Sequence, residues 1–327
     1  MKQRRTKVML FGPMPPPMGG VSVHLSRLLE RSKELDDLHL SVCDLGKRKV
    51  FSSDSKNGNE GILSCFLKAD IIHIHYAHPL KVVIGLFAKI CGKKLFYTQH
   101  NIYGLKKLST KLIIALSNKV ICVSQQMAEK LPVKNSVVIP AYIPSSEKSE
   151  PDADLKALTS GYKNVFTAIS SHSKNHPTLI NGKDVYGFDL AVEAMSLSNF
   201  KEKSILVLID PAGVWEKTYT HGAIQSLNES ASLLYWKKEV KMSAIWPLTT
   251  IFLRPTRSDG DALSIREAID AQIPVIASNI TTRPQGVVLF DSDNPKSLSE
   301  KLQGPLVSVL SIPKTQEFYK EVFSLYL

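Results

Sequence analysis

The stretch from Thr250 to Ser278, TIFLRPTRSDGDALSIREAIDAQIPVIAS, admits few folds. Ile251, Phe252 and Leu253 form a short apolar run that suits a buried strand. Arg254-Pro255-Thr256-Arg257-Ser258-Asp259-Gly260 is a polar segment rich in turn formers. Asp261 can cap a helix whose apolar positions Leu263, Ile265, Ala268 and Ile269 fall mainly on one side. Gln272 ends that helix, and Pro274-Val275-Ile276-Ala277 reads as the next strand. Strand, loop, helix, strand is the repeating unit of an α/β sheet.

The loop carries a chemical signal as well. A loop that opens onto a helix N-terminus presents free backbone N–H groups and a positive dipole end, which suits phosphate. Asp259 and Glu267 stand eight positions apart at this place. Carboxylates repel phosphate, but they accept hydrogen bonds from hydroxyls of a ribose or a hexose. Phosphate plus hydroxyls points to a nucleotide sugar. The stretch resembles the E-x7-E motif of retaining GT-B glycosyltransferases, the large family 4 group, with Asp259 in place of the first Glu and Glu267 as the second. The run RPTRSDGDALSIREAIDAQIPVIAS is similar to a branch of that family found in bacterial polysaccharide clusters. The exchange of Glu for Asp shortens the arm by one methylene. The bland alternative is a surface Asp and a helix Glu with no role.

Composition bounds the rest. A chain of 327 residues has room for two domains. No run of about 18 apolar residues is present, so no membrane-spanning helix is expected. The start, MKQRRTK, is basic, but Pro13, Pro15, Pro16 and Pro17 break the stretch after it, unlike the apolar core of a signal peptide. The expected location is the cytoplasm. Cys43, Cys65, Cys91 and Cys122 are scattered without a C-x-x-C, which favours free thiols over a disulfide frame or zinc site. Residues 1–160 hold 24 basic and 13 acidic side chains, and residues 161–327 hold 17 of each, so the whole net charge of +11 lies in the first half. That half therefore expects an anionic partner. No nucleic-acid motif accompanies the charge, so an anionic membrane surface fits better than nucleic acid.

Along the first half, Lys7–Phe11 reads as a strand, Gly12–Gly20 as a stiff loop and Val21–Leu25 as the start of a helix. This is the phosphate-facing unit of a Rossmann-like half, without the G-x-G-x-x-G of dinucleotide enzymes. Gly19-Gly20 lets a ligand approach the backbone closely, or is a plain turn. A strand is expected near Leu38–Cys43, and residues 46–61 read as a polar loop. Asp70-Ile71-Ile72-His73-Ile74-His75 reads as a strand, and His73, His75 and His78 raise the question of a metal. Many members of the resembled family carry a similar strand without one. His75 and His78 remain candidates to line a cleft. Leu80–Cys91 is a predicted helix, and Lys94–Thr98 a strand with His100 beyond its C-terminal end, where ligands bind in open α/β sheets. The resemblance makes His100 a contact of the transferred sugar; a structural His is the alternative. Gly104–Lys119, with Leu105, Leu108, Leu112 and four lysines, can form a basic amphipathic helix for anionic lipid, or can pack on the sheet.

Ser145–Ser160 reads as the junction between domains. The second half has predicted strands at Val165–Ile169, Ile205–Ile209, Ser232–Tyr235 and Val287–Phe290. Family members place an Arg and a Lys before a helix here to hold the donor diphosphate without metal. In this chain the segment is instead Asn181-Gly182-Lys183-Asp184-Val185-Tyr186-Gly187-Phe188-Asp189. Lys183, Lys174, Arg254, Arg257 and Arg266 are the cations at hand. Tyr235 or Trp236 could stack on a base, or be core. A final helix is expected over Thr315–Leu327.

The resemblance implies an α/β protein of GT-B type, two Rossmann-like parallel-sheet domains facing a cleft (1–150 on the acceptor side, 151–310 for the nucleotide sugar), with a C-terminal helix, 311–327, crossing back to the first. It implies transfer of a sugar from a nucleotide sugar to a hydroxyl, with retention, without metal or other cofactor, in bacterial cell-surface polysaccharide synthesis. The implied catalytic residues are His100, Asp259 and Glu267. The implied donor-binding residues are Gly19, Gly20, Lys183, Arg254, Leu263, Ser264 and Glu267. The expected partners are the donor, a lipid-linked glycan acceptor and the inner face of the cell membrane. Two other readings compete: a non-catalytic binding or scaffold subunit, and a nucleotide-sugar epimerase.

Overall fold

A computed structural model describes residues 4–16, 19–54, 61–131, 133–145, 149–172, 176–304 and 317–327. The chain divides into two units, Met1–Pro144 with Gln316–Leu327, and Ser145–Thr315. Each is built on a seven-stranded sheet.

In the first unit the order along the chain is β1 (Thr6–Phe11), α1 (Gly20–Arg31), β2 (Leu38–Asp44), β3 (Lys49–Ser52), α2 (Ile62–Lys68), β4 (Ile71–Ile74), α3 (Leu80–Ile90), β5 (Lys94–Gln99), α4 (Leu108–Leu116), β6 (Lys119–Cys122), α5 (Gln125–Lys130) and β7 (Ser136–Val138). The sheet runs β3-β2-β1-β4-β5-β6-β7. All neighbours are parallel except β3, which pairs antiparallel with β2 at the edge. β3 was not expected: it lies inside the polar stretch 46–61, where the Val50 and Phe51 pairings with β2 outweigh the turn-forming composition. Residues 55–60 of that stretch lie outside the described residues. Central strands such as β4 are buried on both faces, as parallel strands covered by helices must be.

The second unit holds α6 (Ala153–Thr159), β8 (Asn164–Ile169), β9 (Leu179–Ile180), β10 (Lys183–Asp184), α7 (Phe188–Leu197), β11 (Ser204–Ile209), β12 (Ile224–Ser226), β13 (Ala231–Trp236), α8 (Met242–Ile245), β14 (Ile251–Arg254), α9 (Leu263–Asp270), β15 (Val275–Ser278), β16 (Val288–Phe290) and α10 (Pro295–Gln303). Its sheet runs β12-β13-β11-β8-β14-β15-β16, parallel but for β12. The stretch read as a junction is not all linker. Asp152 accepts a hydrogen bond from Leu155 N–H and caps α6, and Leu155 is buried in a core cluster with Ile205 and Trp236.

Helix α11 (Phe318–Ser324) belongs to the first unit. Its Tyr319, Val322 and Phe323, with Tyr326 beyond it, enter one core cluster with Leu25 and Leu28 of α1 and Val8 and Leu10 of β1. The returning helix is thus as expected, though Thr315 lies outside the described residues. The stretch 104–119 divides. A 3-10 turn ends at Lys106 and α4 follows; Thr110, Ile113 and Ile114 are buried, while Leu108 and Leu112 stay exposed. The four cysteines are free, and burial pushes the Cys43 thiol up to about 12.

In both sheets the strand order reverses beside the first strand, between β1 and β4 and between β8 and β14. Open α/β sheets bind ligands beyond the strand C-termini at such a switch point.

Candidate functional site

The second unit places the Thr250–Ser278 stretch at its switch point. β14 ends at Arg254, and the loop after it folds around Asp259. Arg254 grips that carboxylate with two bonds, Nε to Oδ2 at 3.0 Å and Nη2 to Oδ1 at 3.2 Å. Arg283 Nη1 donates to Oδ2 at 2.8 Å, and Thr256 Oγ1 and Gly260 N–H add bonds of 3.2 and 3.0 Å. The side chains of Arg254, Asp259 and Arg283 are 13%, 8% and 2% exposed. Burial alone would raise the Asp259 carboxyl, but Arg254 and Arg283 outweigh it and hold it down at about 2.

This alters the part assigned to Asp259. Two carboxylate oxygens offer about four acceptor sites, and five protein donors fill them. Asp259 therefore orders two guanidinium groups here and does not present itself to sugar hydroxyls. Arg283, which sequence reasoning passed over, is the second cation. Its only signal was its place just after β15.

Asp261 is corrected too. It was expected to cap the helix, but it pairs with Arg266 at 2.8 Å, and the N-cap of α9 is Ala262, which offers no side-chain cap. Leu263 and Ser264 form the first turn of this eight-residue helix, and Glu267 lies half-buried one turn on.

The other cations are drawn into the scaffold. Arg257 is bound by both oxygens of Asp189, each at 2.8 Å, and by Asp293. Lys183 also reaches Asp293, at 2.9 Å on the exposed rim. Lys174 lies outside the described residues. The segment Asn181–Asp189 is explained residue by residue. Asn181 and Gly182, both at positive φ, turn the β9–β10 hairpin. Asp184 accepts from the N–H groups of Tyr186 and Phe188 and from His172 Nε2 at 3.1 Å. Gly187 has φ +72°, and a Cβ there would lie 2.0 Å from Pro255 O, so the turn presses on the Arg254 loop. Tyr186 covers Arg254, with the guanidinium carbon 5.4 Å from the ring centre. Tyr235 and Trp236 are core residues; Tyr235 OH donates to the fully buried Asp210 at 2.8 Å.

The first unit gathers imidazoles. His75 follows β4 and His100 follows β5; His75 Nδ1 and His100 Nε2 share a hydrogen bond of 2.9 Å. His24 of α1, which the sequence reading did not single out, joins them, its Nδ1 donating to Ala141 O at 2.6 Å. Their nitrogens lie within 4.8 Å of one another, and they are the one group of three metal-capable side chains among the described residues. His75 Nε2 is buried without a partner. Burial, and then the neighbouring imidazoles, lower His75 and His100 well below 6.5; burial brings His24 to about 4. The cluster is neutral at pH 7. The His73 ring lies 4.2 Å from that of His75, but both its nitrogens are engaged, by Tyr326 OH at 2.6 Å and Thr98 Oγ1 at 2.7 Å, and His78 is exposed. The metal group posed from His73, His75 and His78 is therefore not assembled. Gly19 N–H is taken by Ser22 Oγ at 2.9 Å, and Gly20 opens α1 with nothing within 4 Å of where a Cβ would stand.

No protein-family model matches the chain. No curated protein sequence matches it. Solved structures do match, at low sequence identity. A glycosyltransferase from Rickettsia africae superposes with a TM-score of 0.64 at 15% identity, over 98% of both chains. Anabaena Alr3699/HepE in complex with UDP gives 0.61 at 14%, over 98% of this chain and 95% of that one. A putative UDP-N-acetylglucosamine 2-epimerase from Listeria monocytogenes gives 0.59 at 15%, over 99% and 96%. The chain thus has the GT-B fold, two Rossmann-like units with seven-stranded sheets.

Proposed function

We propose that this protein is a glycosyltransferase that moves a sugar from a nucleotide sugar to a hydroxyl acceptor. The observation that supports it most is the excess of positive charge at the second switch point. Arg254 and Arg283 share the one carboxylate of Asp259, beside an α9 N-terminus that has no side-chain cap. A largely buried guanidinium pair bonded to one carboxylate, with Asp261 nearby already paired to Arg266, keeps a net positive charge next to a positive dipole end and favours a further anion. A diphosphate leaving group is that anion, and stabilising its developing charge is the electrostatic part of catalysis. Arg254 takes the place of the Arg and Lys of the resembled family, and Arg283, whose three side-chain nitrogens are bonded to Asp259, Thr256 and Ser278, adds its charge from behind; Leu263 and Ser264 supply amides, and Lys183 remains a rim cation. Glu267 holds ribose hydroxyls. Asp259 acts through the two arginines as a positioning residue. From the first unit, His100 contacts the transferred sugar, and Gly19-Gly20 leaves room for substrate.

The reaction proceeds with retention and without metal, on a lipid-linked glycan, in bacterial cell-surface polysaccharide synthesis. This reading rests on the resemblance of the Thr250–Ser278 stretch. The epimerase reading is second, since the Listeria structure has the same fold. It is set back because the first unit's cluster consists of three imidazoles with no carboxylate in the group.

A thermal-shift panel of UDP-, GDP-, CMP- and dTDP-sugars tests the proposal. One class of nucleotide should raise the melting temperature by linkage, and Glu267→Ala should remove the shift while His100→Ala keeps it and slows transfer. A protein that responds to none of the four, or a Glu267→Ala variant that responds like the parent, overturns the assignment.

A further inference from the structure

The switch point of the first unit, between β1 and β4, brings together side chains from separate parts of the chain. His75 follows β4, His100 follows β5 and His24 lies on α1, and each offers a nitrogen within 4.8 Å of the other two. Zinc bonds imidazole nitrogen at about 2.0–2.1 Å, which sets the nitrogens of a tetrahedral group roughly 3.4 Å apart. His75 Nδ1 and His100 Nε2, 2.9 Å apart, stand inside that spacing, and the 4.8 Å limit of the group stands outside it. Small rotations of the rings therefore close the set.

Two further observations point to a ligand. His24 Nδ1 donates to Ala141 O at 2.6 Å, so its neutral ring keeps a bare lone pair on Nε2. A backbone carbonyl on the far nitrogen is the arrangement that fixes the tautomer and orientation of a metal-binding histidine. His75 is 4% exposed, and its Nε2 is buried with no hydrogen-bond partner. A polar atom left in this way is costly unless something fills the place. His73, whose ring lies beside that of His75, is not a fourth ligand, since Tyr326 and Thr98 take both its nitrogens. His100 is half-buried, which leaves the group open to an entering ion.

We infer that His24, His75 and His100 form a binding site for a late first-row divalent ion, with zinc as the reference case. Three imidazoles without a carboxylate suit zinc, nickel, copper or cobalt, whereas magnesium and calcium take oxygen ligands. Three protein ligands leave a fourth position for water. Burial holds all three rings neutral at pH 7, so no proton has to leave an imidazolium before an ion binds. The function proposed above uses no metal and sets His100 against the transferred sugar. An ion on His100 takes that contact away and acts as a reversible inhibitor. This consequence rests on that reading; the binding itself does not.

Zinc titration of the tag-free full chain, first stripped of metal and then set against a competing chromophoric chelator, tests the site. One equivalent should bind, unaffected by excess magnesium. X-ray absorption of the zinc-loaded chain should show the ion bonded to imidazole nitrogen and to no sulfur. His100→Asn, at the half-buried position, and His24→Phe should each lower zinc affinity at least about a hundredfold, while His78→Ala, at an exposed position, should leave it unchanged. A parent that takes up no zinc, a sulfur ligand, or equal affinity in His100→Asn overturns the inference. The absorption spectrum of the parent decides even where a variant fails to fold. With the donor class found by thermal shift, zinc should slow transfer and a chelator should restore it. Bound zinc with unchanged transfer overturns the contact assigned to His100 and leaves the metal site standing.

Discussion

The two units share a topology but bury opposite kinds of polar group at their switch points. In the first, His24, His75 and His100 sit together as neutral rings. In the second, Arg254, Asp259 and Arg283 sit together as ions. Neutral imidazoles cost little to bury while they stay neutral. Ions are costly to bury but gain from strong, directed bonds. The same topology therefore carries a neutral buried cluster at one switch point and a charged one at the other.

The sharpest way to break this comparison is to remove the shared carboxylate. Asp259→Asn removes the carboxylate bonded to two buried guanidinium groups, and should cost about 3–5 kcal/mol in denaturant unfolding. A loss below about 1 kcal/mol would mean that the pair is not the electrostatic centre of its unit.

Acid should separate the units next. An unfolded His titrates near 6.5, while buried His24 is held at about 4. Between those values the unfolded state binds more protons, so stability is complete above about 6.5 and falls as pH drops towards 4, by ~3 kcal/mol for His24 alone. Asp259 has the opposite chemistry and a lower window. Its contribution is complete above about 3.8 and is lost as pH falls towards about 2. Hydrogen exchange, corrected for intrinsic rates, should show the first unit opening at about pH 5 while β14 and its loop stay protected. Loss of protection around Arg254 first would reverse the contrast.

The smallest effect tests a buried cation of the first unit. Lys81 of α3 bonds Thr110 Oγ1 at 2.7 Å and Tyr97 OH at 3.1 Å, and burial lowers it to about 8. Lys81→Met should leave the protein as stable or raise stability by about 1 kcal/mol, read as a melting temperature higher by about 2 °C. A clear drop would show that the ammonium is needed where it lies.

Much of this fold was legible because parallel strands are continuous apolar runs with turn formers between them; Ile205–Ile209 and Ile251–Leu253 left little choice. The edge strands β3 and β12 were not, since one-sided pairing needs little hydrophobicity. The candidate site was half legible. Residue types near Asp259 were right, yet partners were not, because Asp259 and Arg283 stand 24 positions apart and only the fold brings them together. His24 was hidden for the same reason: its neighbours come from β4 and β5, while it sits on α1.

The returning α11 has a consequence for biosynthesis. Tyr326 bonds His73 across 253 positions, and Tyr319, Val322 and Phe323 fill the core against α1. A growing chain has made all of β1–β7 well before these side chains exist. The first half must then wait on the ribosome with an open apolar floor while the second half is translated and folds. The part of the protein made first is completed last.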